Sequence, residues 1–274
     1  MAAPNVTRAT MPYYLPPADG SRAYKNINDR TDKNYIRHEV PVLVQNIRGK
    51  EDNYHIDTAG FQYFKHTTQY PNLKAENEDE VAKYIAESAD VYQKLTGAFK
   101  VHVFDHTIRR HDPGEMEESP LKRQPVSNVH VDQTPGSAVA RVYRHFPKEE
   151  ADELLKYRFQ ILNLWRPLSH PADDWPLGFI DSSTANVERD LFAMTLKFPG
   201  GPGETYAVKH HPDHRWVYLR SMQPDEIVLF KCFDSTKDEK IATFNAHTGF
   251  EDPITPKDAS MRQSIELRAI VFYE

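Results

Sequence analysis

The sequence lacks the features that mark secreted, membrane-spanning and disulfide-stabilised proteins. Cys232 is the only cysteine among 274 residues, so an intramolecular disulfide is impossible and a reducing setting is expected. No apolar run is long enough to span a bilayer, and the first residues do not show the basic segment followed by an apolar one that marks a signal peptide. These absences predict a cytoplasmic protein without a membrane partner.

An excess of basic residues is absent as well. Lys and Arg together number 34, against 40 Asp and Glu, which gives a formal net charge of -6. A net acidic chain argues against a general binder of the phosphate backbone, so no nucleic-acid partner is expected. Hydrophobic residues nevertheless make up 39% of the chain, which suffices for a sizeable core and excludes a disordered protein.

The N-terminal segment, residues 1–38, is rich in Pro, Tyr, Asn and charged residues. Pro12, Pro16 and Pro17 oppose a long helix there, so we predict an extended arm that packs on the main body. No change of composition marks a domain boundary after this arm. We therefore predict one domain over residues 1–274.

Hydrophobic periodicity changes from helical to alternating along the chain. Residues 78–95 carry apolar side chains at helical spacing, with Asn77 as a capping residue and Gly97 as a stop, so a helix is predicted. Two further helices are expected at residues 137–145 and 148–156. Short alternating segments separated by turns predict strands at residues 39–45, 99–106, 159–164, 191–198, 204–208, 215–219, 225–233, 241–247 and 264–273. The pattern indicates a mainly β sandwich or jelly roll with flanking helices.

The most informative motif is His130-Val131-Asp132. Side chains two residues apart lie on the same face of a strand, so His130 and Asp132 can bind one metal ion together. Two histidines and one carboxylate form the facial triad of a ferrous iron site, whose opposite face stays open for substrate and oxygen. His-x-Asp pairs are also common in surface loops, so this interpretation depends on a third ligand.

The third ligand must be a later histidine, and four are candidates. His210, His211 and His214 lie in a polar turn, where such a cluster is either solvated or marks a zinc hydrolase. His247 lies near the end of an alternating segment, just before a loop. We predict His247 as the third ligand, although a single histidine on a strand is more often a core or rim residue.

An arginine and a serine follow the late histidine at alternate positions. A facial triad that activates oxygen needs electrons, and the common organic donor, 2-oxoglutarate, needs a cation for its far carboxylate. Arg262, Ser264, Glu266 and Arg268 would share one face of a strand, and an arginine and a hydroxyl two residues apart can bind one carboxylate. The alternative interpretation is an edge strand with charges that face solvent.

Four stretches of the chain resemble the iron(II)/2-oxoglutarate-dependent oxygenases. More narrowly, they resemble the fungal gibberellin desaturase-like group, which also contains the cephamycin hydroxylase J-component. The stretches are residues 130–134 (HVDQT), 163–168 (NLWRPL), 230–235 (FKCFDS) and 247–268, which begins with HTGF and ends with RQSIELR. The resemblance covers residues 100–274.

The resemblance implies a double-stranded β-helix, a cupin-like jelly roll over residues 100–274, with iron(II) at one mouth. It implies His130, Asp132 and His247 as the iron ligands at the catalytic centre. The reaction it implies consumes 2-oxoglutarate and dioxygen and oxidises a C–H bond of a small-molecule secondary metabolite. Hydroxylation, desaturation, cyclisation and peroxide formation are all possible outcomes.

Cosubstrate-binding residues also follow from the resemblance. Arg262 and Ser264 match the positions that hold the distal carboxylate of 2-oxoglutarate. Arg268 either reaches the cosubstrate too or pairs with Glu266, and Arg166 is a second-tier candidate.

The substrate pocket is predicted from aromatic residues and loops. Tyr206, Trp216 and Tyr218 are candidates to shape it, which favours an apolar, multi-ring or aromatic small molecule. Residues 112–124, which are polar and contain Pro and Gly, are predicted to close over the iron, with residues 209–214 closing from the other side. The sequence is compatible with a homodimer.

Two other functions fit the same motifs. A nucleic-acid or protein dealkylase would share the fold, and the spacing of Arg262 and Arg268 resembles the nucleic-acid demethylase branch. The acidic net charge and the lack of a basic strip interleaved with aromatic residues count against it. A jelly-roll binding module without redox chemistry would show no metal-dependent turnover of 2-oxoglutarate.

Overall fold

The computed structural model describes residues 5–29, 31–114 and 123–274. The strands in these ranges are β1 Val6–Leu15, β2 Ala23–Asn26, β3 Ile36–Asn46, β4 Phe61–Lys65, β5 Lys100–Arg110, β6 His130–Val131, β7 Arg158–Pro167, β8 Leu177–Ile180, β9 Leu191–Phe198, β10 Gly201–Val208, β11 Trp216–Tyr218, β12 Glu226–Asp234, β13 His247–Gly249 and β14 Gln263–Tyr273. The α-helices are α1 Glu78–Thr96, α2 Pro135–His145, α3 Lys148–Leu154 and α4 Val187–Asp190.

The strands form two sheets that face each other across an aromatic core. The larger sheet has the order β1-β3-β11-β8-β13-β6-β10-β9-β2, and the smaller has the order β4-β12-β7-β14-β5. Phe179 of the larger sheet stacks on Phe61 of the smaller at 4.7 Å between ring centroids and contacts Phe230 at 5.3 Å. Because side chains alternate along each strand, one face of each sheet fills this core. The predicted mainly β architecture with flanking helices is confirmed.

Helix α1 covers the outer face of the smaller sheet. It begins where the Asn77 side chain accepts a hydrogen bond from the backbone N–H of Glu80, and it ends at Gly97, whose φ of 70° is left-handed. Tyr84 and Tyr92 bury one side of the helix against the sheet. The predicted helix at residues 78–95 is confirmed. Across the described ranges, no helix combines the length and apolar character needed to cross a membrane.

The N-terminal segment, predicted as an extended arm that packs on the main body, contributes the strands β1 and β2 to the larger sheet. β1 pairs antiparallel with β3 along its whole length, and β2 pairs with β9 at the opposite edge of the same sheet. β1 is an edge strand, where proline is tolerated, so Pro12 does not break it. Met11 and Tyr13 are fully buried, which explains why this segment is ordered: it completes the core.

The predicted strand at residues 241–247 is wrong except at its end, where β13 begins with His247. The preceding residues cross between elements and have no single partner strand. The backbone N–H of Ala242 donates to the Asp57 carbonyl, and that of Asn245 donates to the Lys231 carbonyl. Alternation of apolar residues indicated burial correctly there, but it could not reveal these scattered hydrogen-bond partners.

The predicted lid at residues 112–124 falls largely on residues 115–122, which lie outside the described residues. Its two ends are held together, since Asp112 and Gln124 exchange two hydrogen bonds of 3.0 Å. The second predicted lid segment, residues 209–214, forms a turn after β10.

Candidate active site

Two neighbouring strands of the larger sheet bring three potential metal ligands together. His130 in β6 lies directly opposite His247 in β13, and Asp132 follows β6. The ligand atoms of the three residues all lie within 4.8 Å of one another, with 3.2 Å between His130 Nε2 and Asp132 Oδ1. Within the described ranges, this is the one group of three or more His, Cys, Asp or Glu residues with such spacing.

Backbone carbonyls fix the orientation of both imidazole rings. His130 Nδ1 donates to the Asn128 carbonyl at 2.7 Å, and His247 Nδ1 donates to the Asn245 carbonyl at 3.2 Å. A carbonyl oxygen can only accept, so each Nε2 keeps its lone pair for a metal. Burial and the neighbouring His130 lower the pKa of His247 to about 3, which keeps this ring neutral.

The Asp132 carboxylate is held ionised. Burial would raise its pKa, but the positive charge of Arg268 beside it lowers it well below its usual range. Asn163 Nδ2 donates to Asp132 Oδ2 at 2.8 Å and fixes the carboxylate from the smaller sheet. Two neutral imidazoles and one carboxylate are the donor set of a facial triad.

A cavity of about 190 Å³ opens next to these three residues. Its charged lining includes Lys25, Arg109, Arg262, Glu266 and Arg268, besides Asp132. Its other lining residues are Tyr14, Val126, Trp165, Leu177, Met194, Leu196, Thr205, Tyr206, Ala207 and Gly249. Four cationic side chains against two carboxylates leave excess positive charge, which suits an anionic ligand.

Arg262 is 2% exposed and lies at the wall of this cavity. Its Nη1 donates to the Trp175 carbonyl at 2.6 Å, whereas its Nε has no hydrogen-bond partner among the described residues. Burial and the neighbouring Arg109 lower the pKa of Arg262 to about 9. A buried guanidinium with an unused donor is a site that a carboxylate would stabilise.

Ser264 lies two residues further along the same face of β14. Its hydroxyl is buried and has no hydrogen-bond partner in the described part of the chain. Ser264 does not line the cavity directly. The predicted shared face is nevertheless observed, because Arg262, Glu266 and Arg268 all line the cavity.

Arg268 pairs with carboxylates of the protein itself. It contacts Glu266, and its Nε lies 3.5 Å from Asp132 Oδ2. Its Nη1 lies 2.9 Å from Asp105 Oδ2. Of the two roles considered for Arg268, pairing with Glu266 is the one observed, and the side chain also balances the charge of Asp132.

Arg166 lies on the wrong face of the sheet for a cosubstrate-binding residue. It is 1% exposed, but its guanidinium bonds to the His66 and Pro224 carbonyls and lies over the Tyr84 ring of α1. Odd-numbered residues of β7, such as Trp165, face the inner core, whereas Arg166 faces the helix. The physical reason for the wrong prediction is strand parity, which moves each successive side chain to the opposite face.

Trp216 and Tyr218 also lie away from the cavity. They belong to a buried cluster with Val129 and Val131, on the face of the larger sheet opposite His130. Their polar atoms are used there, as Trp216 Nε1 donates to the Tyr13 hydroxyl at 2.8 Å. Of the three aromatic residues predicted to shape the pocket, only Tyr206 lines it.

The turn at residues 209–214 does not form a metal site. His214 is buried, with its Nε2 2.9 Å from Asp190 Oδ2 and its Nδ1 3.1 Å from the Tyr13 hydroxyl. Both ring nitrogens therefore have partners within the protein. The zinc hydrolase considered from this cluster has no support in the geometry.

Comparisons with known proteins agree over most of the chain. A family model described as an oxidoreductase/YMDC permease-like domain matches residues 11–272. Hydroxylase/desaturase CTB9 of Cercospora beticola is 35% identical over 252 residues, which covers 85% of this chain and 76% of that protein. A solved structure of the iron and alpha-ketoglutarate-dependent endoperoxidase NvfI matches with a TM-score of 0.89 and 25% identity, over 100% of this chain and 99% of that chain. The chain belongs to the iron(II)/2-oxoglutarate-dependent oxygenases.

A further similarity to this oxygenase group is shorter. Aspirochlorine biosynthesis protein N of Aspergillus oryzae is 43% identical over 150 residues, which covers 52% of this chain and 59% of that protein. Membership of the oxygenase family confirms the predicted jelly roll and the predicted enzyme class. The dealkylase and the binding module find no support among these relatives.

Three residues of this oxygenase site were missed from the sequence. Asn163 and Trp165 lie in the NLWRPL motif and share one face of β7, whereas Arg166 lies on the opposite face. The alternation of side chains along the strand could therefore have assigned Asn163 and Trp165 to the inner face. Arg109 lies opposite Ser264 on the neighbouring strand β5. Its place beside Arg262 depends on which strand pairs with β14, and no local sequence pattern gives that information.

Proposed function

We propose that the protein oxidises a C–H bond of a small-molecule secondary metabolite, using iron(II), 2-oxoglutarate and dioxygen, at the site formed by His130, Asp132 and His247. One observation carries this assignment of the site: three potential metal ligands converge beside a cavity lined by the buried Arg262, whose Nε has no hydrogen-bond partner among the described residues. The relatives named hydroxylase/desaturase and endoperoxidase support the reaction class.

Iron(II) would be held by the Nε2 atoms of His130 and His247 and by the Asp132 carboxylate. The fit rests on the donors themselves, because both Nδ1 atoms are already bonded to carbonyls and the carboxylate is ionised. Three protein ligands on one side would leave the opposite side of the site open to cosubstrate and substrate.

The distal carboxylate of 2-oxoglutarate would bind Arg262. The unused Nε of that guanidinium and the unpartnered Ser264 hydroxyl offer two donors on one strand face. Arg109, which is half-buried, adds a second positive charge beside them. A dianion in this place would neutralise the excess positive charge of the cavity.

Once bound, the iron supplies oxidative chemistry in which 2-oxoglutarate is decarboxylated to succinate and a C–H bond of the substrate is broken. The protein contributes positioning and exclusion of water. Trp165, Leu177, Met194 and Leu196 give the cavity its apolar walls. We propose an apolar or multi-ring substrate on this basis, with Tyr206 as the aromatic residue that contacts it.

The test is turnover of 2-oxoglutarate by the purified full chain. Succinate is expected to form only when iron(II), 2-oxoglutarate and dioxygen are all present, and turnover is measured first without substrate. Carbon-14 dioxide released from labelled 2-oxoglutarate measures the same step independently. No succinate above a metal-free control, under any iron concentration that leaves the protein folded, would contradict the proposal.

Asn163 is expected to hold Asp132 in its metal-binding orientation. Asn163→Ala removes the 2.8 Å hydrogen bond to Asp132, and loss of such an orienting partner typically lowers metal affinity about 10–100-fold. Competition with a chelator measures this affinity. The matched control is Gln160→Ala, which removes a buried amide on the same strand whose partner is Asp234. Both variants should lose stability, and equal metal affinities in the two would contradict the positioning role.

Several features remain our proposals from the sequence. They are the single domain over residues 1–274 with its jelly-roll core at residues 100–274, the cytoplasmic location, the homodimer and the closing role of the loop at residues 112–124.

A further inference from the structure

A second, larger groove opens beside the proposed iron site. It has a volume of about 1040 Å³ and runs between helix α2 and the hairpin of β9 and β10. Asp132 and Leu196 line both this groove and the smaller cavity, so the groove reaches one of the three proposed metal ligands. It is therefore placed to admit a molecule that is larger than 2-oxoglutarate.

The groove has room because small residues form much of its walls. Gly136, Ser137 and Ala140 face it from α2, at spacings that put them on one side of a helix. Gly200, Gly201 and Gly203 face it from the hairpin. Side chains that would fill the space are absent at these positions.

Two arginines of α2 give the groove a positive charge. Arg141 and Arg144 both line it, and neither has a carboxylate within 4 Å in the described part of the chain. The other charged residues of the groove are engaged elsewhere: Glu204 contacts Arg22 and the Thr134 hydroxyl, and Asp132 faces the metal site.

Arg141 is held in place although no carboxylate of the described residues lies within ion-pair distance of it. Its guanidinium carbon lies 4.9 Å from the centroid of the Phe104 ring, which orients the side chain. Burial and the positive charge of Arg144 lower its pKa. Two cations on consecutive turns of one helix repel each other, so an anion between them would relieve this cost.

We propose that this groove binds the substrate and that Arg141 and Arg144 bind a carboxylate on it, which makes the substrate an apolar organic acid. The inference rests on the proposed iron site only for the orientation of the substrate, whose other end would lie at the iron.

The test compares an apolar acid with its neutral isostere. The probes are 1-naphthaleneacetate and 1-naphthaleneacetamide, titrated by NMR into the full chain without metal, and then with Mn(II) and 2-oxoglutarate. The acid is expected to bind at least about tenfold more tightly than the amide, since a charge-assisted hydrogen bond typically contributes that much. Mn(II) should broaden the signals of the bound acid, because the groove reaches one of the three proposed metal ligands.

The preference for the acid should disappear in Arg141→Gln/Arg144→Gln and persist in Arg141→Lys/Arg144→Lys. Arg215→Gln is the control, since this exposed arginine pairs with Asp181 and lines neither cavity. Arg144→Gln alone serves if the double variant does not fold. An acid preference that survives the loss of both charges, or no detectable binding of the acid to the wild type, would overturn the proposal. So would variants that change only thermal stability, as expected if the arginines merely complement the C-terminal dipole of α2.

Failure of the proposed function gives a different result. If wild-type protein binds the acid but not Mn(II) or 2-oxoglutarate, the oxygenase site is wrong and the acid-binding groove stands. If Mn(II) and 2-oxoglutarate bind equally to the wild type and the double glutamine variant while acid and amide bind alike, the groove inference alone is wrong.

Discussion

The His247→Ala variant is expected to lose iron binding and all 2-oxoglutarate turnover while it remains folded. In the proposed site His247 is one of three protein ligands found among the described residues, and loss of a mere orienting partner already costs about 10–100-fold in metal affinity. We therefore expect a loss greater than about 100-fold, measured as iron content after desalting and as succinate formation. The His130→Ala and Asp132→Ala variants should behave in the same way.

The matched control for this prediction is His214→Ala. The His214 side chain is also buried, but its partners are Asp190 and Tyr13. Its removal should lower thermal stability and leave the iron content unchanged. Wild-type iron content in His247→Ala, together with loss of iron in His214→Ala, would show that the wrong histidine was assigned.

Much of the triad could be predicted from the sequence because strand geometry has a period of two. Residues separated by one position share a face whatever the fold, so His130 and Asp132 could be paired without a structure. The choice of His247 was harder, since its pairing opposite His130 depends on the order β8-β13-β6 within the larger sheet. That choice relied on a resemblance to known oxygenases.

Predictions that needed a neighbouring element were the ones that failed. Arginine is the residue type that best binds a carboxylate, but the position of Arg166 in β7 directs its side chain towards α1. Residues 1–38 lack the pattern of a core strand, yet β1 completes the larger sheet because β3 returns beside it. Arg109 and Arg141 reach the site from β5 and α2, and their positions depend on packing between elements. Local periodicity contains no information about such contacts.

Arg262 and Arg166 form a matched pair of buried arginines that separates cosubstrate binding from folding. Both are at most 2% exposed, and both donate to backbone carbonyls. They differ in location, since Arg262 lines the cavity beside the metal ligands and Arg166 lies beneath α1. The same substitution at either position therefore removes a similar amount of side-chain packing. Only the substitution of Arg262 should affect the binding of 2-oxoglutarate.

Arg262→Ala is expected to raise the apparent KM for 2-oxoglutarate well over tenfold while iron remains bound. Loss of one partner of a buried charge pair costs roughly 2–5 kcal/mol, and each 1.4 kcal/mol corresponds to about a factor of ten. Arg262→Lys should recover part of the loss, because lysine keeps the charge but cannot form the bidentate hydrogen bonds of a guanidinium.

The control variant Arg166→Lys should lower the thermal unfolding temperature, because it loses hydrogen bonds to the His66 and Pro224 carbonyls, and it should leave the KM for 2-oxoglutarate unchanged. If KM stays constant in Arg262→Ala, the distal carboxylate binds elsewhere, and Arg109 becomes the first alternative because it lines the same cavity and lies opposite Ser264 on β5.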